Sequence, residues 1–525
     1  MAPTPEEELV AFLSRPESFP EKPAKVEVRQ THISIVAIAS PNVYKIKKSL
    51  DLGFLDFSTL EKRRHFCAEE VRLNRRLTRN VYLGIVPIAR LNGSLHFGAE
   101  GEIVEYAVKM LELSRPGFLH EQIARGTATV HDVECVALKL CSFYRAQKSS
   151  DTIAEWGRVA KLRLSTDENF TQTERFVGSL LSRPAFVAIR FFTDQFYQRH
   201  ADLFERRRKG GHILDCHGDL RGEHVHLSGE EVNVFDCVEF NERFRFIDVA
   251  NDVAFLAMDL EVLGRPDLAA AFLRQIAGLL RDPELLSLTT FYKCYRAYVR
   301  AKVAAIKSTE LEVPAADREG SLERARQLFR HALAHTVAGS GPLVIAVMGR
   351  AASGKSTTAR GAGDALGWPV FSSDRVRKEL AGVPLRFRPD AARRAELYGE
   401  SMTHRTYVSL LERAIASARQ KGGAILDATF GRRARRELLR EKLATAAIPC
   451  RLVEITASDE EIAARLGERG GSQKEVSDAR LEDFEMLRAN YEPPHPDETH
   501  VQIASQPDVE TTVTQLLEAL ADIDQ

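Results

Sequence analysis

Seven cysteines are few for 525 residues, and positions 67, 135, 141, 216, 237, 294 and 450 form no CxxC pair and no zinc-ligand spacing. This excludes a disulfide scaffold and a zinc module, and it points to a reducing, cytoplasmic setting. Net charge is also missing. The 73 basic and 74 acidic side chains leave −1, so no overall field draws the chain to nucleic acid or to a membrane surface. No apolar run approaches the ~20 residues of a membrane span. The first residues, MAPTPEEELVAFL, are acidic and lack the basic and apolar regions of a signal peptide. Internal repeats and low-complexity tracts are absent. What remains is a soluble globular composition, 44% hydrophobic and 28% charged. The chain is long enough for two to four domains at about 150 residues each.

Hydrophobic patterning divides the chain. Residues 25–50, KVEVRQTHISIVAIASPNVYKIKKSL, predict three short strands, and residues 59–77 carry apolar residues at helical spacing. YLGIVPIARL and HFGAEGEIVEYAVKML read as further strands, about 118–208 as amphipathic helices, HGDLRGEH and EVNVFDCVEF (231–240) as two short strands with their connections, and 248–306 as helix again. A helix SLERARQLFRHALAHT is followed by VAGSGP, which reads as a hinge. The expected organisation is therefore one domain over 1–336, a hinge at 337–342 and a second domain over 343–525. The second half opens on LVIAVMG, a continuous apolar strand of the kind buried on both faces of a parallel sheet. PVFSSD, GGAILDAT, CRLVEITAS and HVQIAS repeat that pattern with helices between them, which predicts a doubly wound α/β domain.

GRAASGKST, at 349–357, places Gly349, Ser353, Gly354, Lys355, Ser356 and Thr357 between that strand and a helix. Glycines let successive backbone N–H groups turn toward phosphate oxygens. Lys355 reaches the β- and γ-phosphates, and the Ser356 hydroxyl takes a place on Mg²⁺. The helix start adds its positive end. Further along, SSDRVRK puts Asp374 at the C-terminal edge of the sheet, where it can accept a proton from a substrate hydroxyl, with Arg377 one turn on to hold an anion. AILDAT puts Asp427 at a strand end, where a metal-binding carboxylate belongs. Arg465 and Arg469 lie in a Gly-rich polar stretch suited to a closing lid.

Through GRAASGKST, SSDRVRK, AILDATF and the Arg465/Arg469 region, residues 340–495 resemble the small P-loop kinases related to gluconate kinase, the kinase module of polynucleotide kinase and the zeta toxins. The resemblance implies that Asp374 acts on the acceptor hydroxyl and that the lid arginines touch phosphates.

HGDLRGEHVHL, at 217–227, is a second phosphotransfer signal. A kinase-type site needs an Asp near the acceptor hydroxyl, metal ligands, and a Lys on the nucleotide phosphates. Asp219 suits the first role, and Asp236 and His224 suit the metal. Lys45 and Lys47 share one face of a strand by period two, and Glu70 on the next helix can pair with either. Apolar IVEYAVKM (103–110) is the expected hinge toward adenine. These stretches resemble the aminoglycoside phosphotransferase and choline kinase family, which implies an α+β, protein-kinase-like fold. There are two departures: RQTHISIVAI contains no Gly where a nucleotide-covering loop belongs, and His224 stands where an Asn is expected. Both halves together resemble a bacterial family described as bifunctional aminoglycoside phosphotransferase-like and ATP-binding proteins. Asp248 and Asp252 read as structural, and Lys293, Arg296, Arg300 and Lys302 as a solvated basic face.

The expected function is ATP- and Mg²⁺-dependent phosphotransfer to a hydroxyl of a small molecule or nucleotide. The rivals are a nucleotide-sensing regulator with a pseudokinase N-terminal half, and a toxin-like kinase acting on a sugar nucleotide.

Overall fold

The computed structural model describes residues 4–310, 313–339, 341–387, 389–469 and 480–522. By contacts the chain divides into two compact units, residues 1–166 with 200–296, and residues 167–199 with 297–525.

The first unit holds a six-stranded antiparallel sheet. Its strands are β1 (Glu27–Gln30), β2 (Ser34–Ala39), β3 (Asn42–Lys47), β4 (Tyr82–Leu91), β5 (Ser94–Phe97) and β6 (Glu102–Leu111), in the order β1-β2-β3-β6-β4-β5. Alternation along β3 decides which residues face which side. Tyr44 and Ile46 enter an apolar cluster with Leu13, Phe19, Ile35 and Ile88. Lys45 and Lys47 therefore point to the opposite face. The helix Leu60–Asn74, capped by Thr59, packs Cys67 and Val71 against Tyr82 and Val108 on β4 and β6, and so carries Glu70 over the two lysines.

The expected hinge at 103–110 is instead the central strand β6. It pairs with β3 on one edge and β4 on the other, so its backbone groups are consumed by the ladder and a crossing point can start only after Leu111. Two short antiparallel pairs follow: β7 (Ile213–Asp215) with β10 (Phe246–Asp248), and β8 (Val225–Ser228) with β9 (Glu231–Val234). β9 ends at Val234, and Asp236, expected after a strand, follows it with φ 63, which breaks the extended run.

The second unit carries β11 (Leu343–Met348), β12 (Val370–Ser372), β13 (Gly423–Asp427), β14 (Cys450–Thr456) and β15 (Val501–Ala504), in the order β12-β13-β11-β14-β15. All four pairings are parallel. Every residue of β11 is buried, as a strand covered on both faces must be. Tyr407, Leu410, Leu411, Leu439 and Leu443 cover one face. The helix Lys355–Leu366 packs against β11 and β13 and against the helix Val509–Ala521. The helix Arg183–Arg199, far away in sequence, packs against Val509–Ala521 within this unit. Val337 and Ala338, expected in the hinge, still belong to the helix Ala315–Ala338, which ends at Gly339 with φ 63. No helix among the described residues is long and apolar enough to cross a membrane.

Candidate active sites

In the parallel sheet, strand order reverses beside β11, and ligands of such sheets bind beyond the strand C-termini at that crevice. Register aligns Val347 with Asp427 and Asp427 with Ser372, so the P-loop, Asp427 and Asp374 start from one level of one edge. Gly349, Ala352 and Gly354 take φ 140, 64 and 100, a run of positive φ that turns the backbone around a common centre. A Cβ on Gly349 would lie 2.4 Å from the Ile455 carbonyl oxygen, and one on Gly354 2.7 Å from Ser505 Oγ, so no side chain fits at either place. Gly354 caps the helix Lys355–Leu366, whose first N–H groups have no intrahelical acceptor and face that centre. The Ser353 hydroxyl is buried without a partner. Such a set of donors could hold an anion.

Ser356 Oγ donates to Asp427 Oδ1 at 3.0 Å. Two adjacent oxygen ligands beside a phosphate cradle are the donor set Mg²⁺ accepts, with water and phosphate oxygens completing it. Asp374 lies in the first turn of the helix Ser373–Leu380 directly after β12. Arg377 is buried. It donates to the Leu397 carbonyl at 2.9 Å and to Thr403 Oγ1 at 3.0 Å, its guanidinium lies 4.6 Å from the Tyr398 ring centre, and its Nε has no partner. No carboxylate among the described residues pairs with it. Arg465 donates to the Ala352 carbonyl at 3.4 Å, against the loop itself. The Arg469 side chain lies outside the described residues.

A cavity of about 360 Å³ opens beside the loop, lined by Ala352, Gly354, Thr357, Arg465, Ser505 and Gln506 among others. Ser505–Pro507, at the end of β15, escape motif reading. The only available signal was position: HVQIAS is the last parallel strand, so the residues after it join the same edge.

The N-terminal site is a charged row. Lys45 Nζ is 2.6 Å from Asp236 Oδ1 and 2.9 Å from Glu70 Oε1. Lys47 Nζ is 2.7 Å from Glu70 Oε2 and also bonds Glu239. The two lysines thus differ. Lys45 reaches the partly exposed Asp236, whereas the Lys47 side chain is 1% exposed and closed off by carboxylates. Burial pushes the Asp236 carboxyl up, and the Lys45 ammonium more than reverses this, with His224 and Arg221 adding to it, so the group is held well below the usual carboxylate range. Asp219 accepts a bidentate pair from Arg221 at 2.9 and 2.7 Å. Burial, with Arg221 beside it, lowers His224 to about 4, so the ring is neutral at pH 7. The hairpin β8–β9 assembles these parts: Phe235 N donates to the His224 carbonyl at 3.0 Å, which brings Asp236 beside His224.

Asp252 anchors the loop from behind. Its carboxylate accepts from Tyr144 OH at 2.8 Å, His217 N at 3.0 Å and Gly218 N at 2.9 Å. Asp252→Ala strands three buried donors at about 1–3 kcal/mol each. We expect the melting temperature to fall by at least about 5 °C and amide exchange at 217–218 to accelerate; an unchanged melting curve would refute the anchoring role. The basic face expected at 293–302 is also partly structural. Lys293 and Arg296 are buried; Lys293 pairs with Glu261, and Arg296 donates to Asn251 Oδ1 and the Gly218 carbonyl. Helical spacing alone cannot tell solvent from a neighbouring loop.

Residues 344–494 match the family described as AAA domain. The protein of Mycobacterium tuberculosis (strain ATCC 25618 / H37Rv) named "Uncharacterized protein Rv2004c" is 31% identical over 407 residues, 77% of this chain and 78% of that one. The chain belongs to the Rv2004c family. Its Mycobacterium bovis member, "Uncharacterized protein Mb2027c", matches to the same extent. Among solved structures, a gluconokinase from Sinorhizobium meliloti 1021 is 20% identical, covering 34% of this chain and 92% of that one at a TM-score of 0.26. A choline kinase from Cryptosporidium parvum Iowa II is 11% identical, covering 62% and 94% at 0.37. This Rv2004c-family chain has a six-stranded antiparallel sheet in its first unit and, in its second, a parallel sheet within which residues 344–494 match the AAA domain family.

Proposed function

We propose that the P-loop domain transfers the γ-phosphate of ATP to a hydroxyl of a small molecule or nucleotide that also carries an anionic group. The observation behind this is the phosphate cradle of Gly349–Ser356 set level with Asp427 and Asp374 at one sheet edge. In the reaction the acceptor oxygen bonds Pγ, the bond from Pγ to the ADP oxygen breaks, and Asp374 takes the hydroxyl proton. Lys355 and the loop N–H groups hold the phosphates, and Arg465 is positioned against the loop to meet charge developing there. Mg²⁺ held by Ser356 and Asp427 would neutralise phosphate charge.

The anionic character of the acceptor follows from Arg377. A buried guanidinium with no carboxylate partner among the described residues is costly, and a substrate anion relieves it. Arg377→Met is expected to raise the acceptor KM about 10–100-fold, the worth of a charged hydrogen bond, with the ATP KM unchanged. A panel of phosphorylated and neutral acceptors, followed by ADP release, checks it. Equal use of neutral acceptors would refute the anionic reading.

The N-terminal half is read as a second nucleotide site, with Lys45 toward phosphate, Glu70 positioning it, Asp236 and His224 toward the metal and Asp219 toward the acceptor. The regulatory alternative draws on the closed pairs Asp219–Arg221 and Asp236–Lys45. Calorimetry with a non-hydrolysable ATP analogue separates the two. Two binding events, one lost in Lys355→Ala and one in Asp236→Ala, support two sites. A single event indifferent to Asp236→Ala favours a non-nucleotide, regulatory half.

A further inference from the structure

The two sites offer a cation different atoms. Ser356 and Asp427 present oxygen alone, whereas Asp236 faces an imidazole. His224 Nδ1 is 2.8 Å from the carbonyl oxygen of Asp219. A carbonyl only accepts, so Nδ1 carries the proton and Nε2 the lone pair. That lone pair lies 3.5 Å from Asp236 Oδ2, on a ring that is 6% exposed. Two ligand bonds of about 2.1 Å from one ion can span that separation. Arg221 Nη2 stands 3.2 Å from the same nitrogen, but it also bonds Asp219 Oδ2 at 2.7 Å, so an ion displaces only its longer contact. Charge points the same way. Asp236, Lys45, Glu70, Lys47 and Glu239 alternate in sign with three carboxylates to two ammoniums, and Arg221 balances Asp219. The row is left one negative charge in excess, with Asp236 at its end.

We propose that His224 makes the N-terminal site prefer a first-row transition-metal ion to Mg²⁺, later ions more strongly than Mn²⁺, with nucleotide phosphate oxygens completing the coordination. The proposal rests on reading this half as a nucleotide site. Imidazole nitrogen favours transition ions, while Mg²⁺ holds to oxygen ligands and water.

The test uses the full chain carrying Lys355→Ala and Ser356→Ala, so that the P-loop is silent, with Mn²⁺ and a non-hydrolysable ATP analogue. Pulsed electron paramagnetic resonance reads nitrogen bound to Mn²⁺, and titration with Mg²⁺ reads selectivity. One imidazole nitrogen coupling is expected, with Mn²⁺ retained against about tenfold excess Mg²⁺. His224→Asn should remove the coupling and lower the Mn²⁺-to-Mg²⁺ preference about tenfold or more. Bound Mn²⁺ without nitrogen coupling, or an unchanged preference in His224→Asn, overturns the inference and leaves the nucleotide-site reading standing. If the folded protein binds neither ion with the analogue, both fail. The coupling is measured on intact His224, so it does not depend on the variant folding.

Discussion

Asp374→Asn is expected to lower kcat for phosphate transfer by about 10²–10⁴-fold while ATP binding stays intact. The amide keeps the volume and the helix position but cannot take the acceptor proton at pH 7. Lys355→Ala should fail differently. Without the ammonium, the γ-phosphate loses its point charge in the loop, so the KM for ATP rises together with the loss of turnover. The split between the two variants identifies the roles: a pure kcat loss at Asp374, and a combined loss at Lys355. ADP release with a phosphorylated acceptor, alongside calorimetric binding of the ATP analogue, measures both. If Asp374→Asn turned over like the parent chain, the general-base assignment would fall. The acceptor would then be deprotonated by another group, or by solvent.

Arg436→Ala is expected to destabilise the P-loop domain by about 3–5 kcal/mol, the usual effect of breaking one side of a buried ion pair. Arg436 is 1% exposed and donates to Glu498 at 2.7 and 3.0 Å, to the Phe430 carbonyl at 2.9 Å and to the Glu492 carbonyl at 2.9 Å. It therefore ties the loop after β13 to residues 492–498. Removing the guanidinium leaves the buried Glu498 carboxylate with only Arg440 and the His495 N–H, and takes the donor from two carbonyls. The pH dependence follows from Glu498, which the Arg436 hydrogen bond lowers from 4.5 to about 2. A depressed carboxyl binds protons more readily in the unfolded chain, so its contribution is present above pH 4.5 and is lost as pH falls toward 2. Chemical denaturation of the parent chain at pH 6 and pH 3 should show this loss, and Glu498→Gln should flatten it. A full pH response in Glu498→Gln would assign the acid sensitivity to other carboxylates.

The sequence by itself determined the parts whose chemistry is local. Strand, glycine loop and helix are adjacent at 343–366, and backbone conformation there depends on neighbours in the chain. The five strands of the parallel sheet were legible for the same reason, each a largely apolar run bounded by turns. The lysines on β3 followed from period-two alternation, which any strand obeys.

Tertiary structure alone decided what depends on long-range pairing. Lys45 and Lys47 are equivalent by spacing, and only the placement of Asp236 and Glu239, roughly 190 residues away, separates an accessible ammonium from a sealed one. Arg296 and Lys293 read as solvated until the loop at Gly218 and Glu261 come to rest on them. β6 looked like a hinge because apolar composition does not reveal that both its edges are taken. The helix Arg183–Arg199 belongs with the C-terminal unit through contacts that no periodicity encodes. In each case the deciding quantity is burial by residues distant in the chain, and burial sets whether a charge is solvated, paired or left for a ligand.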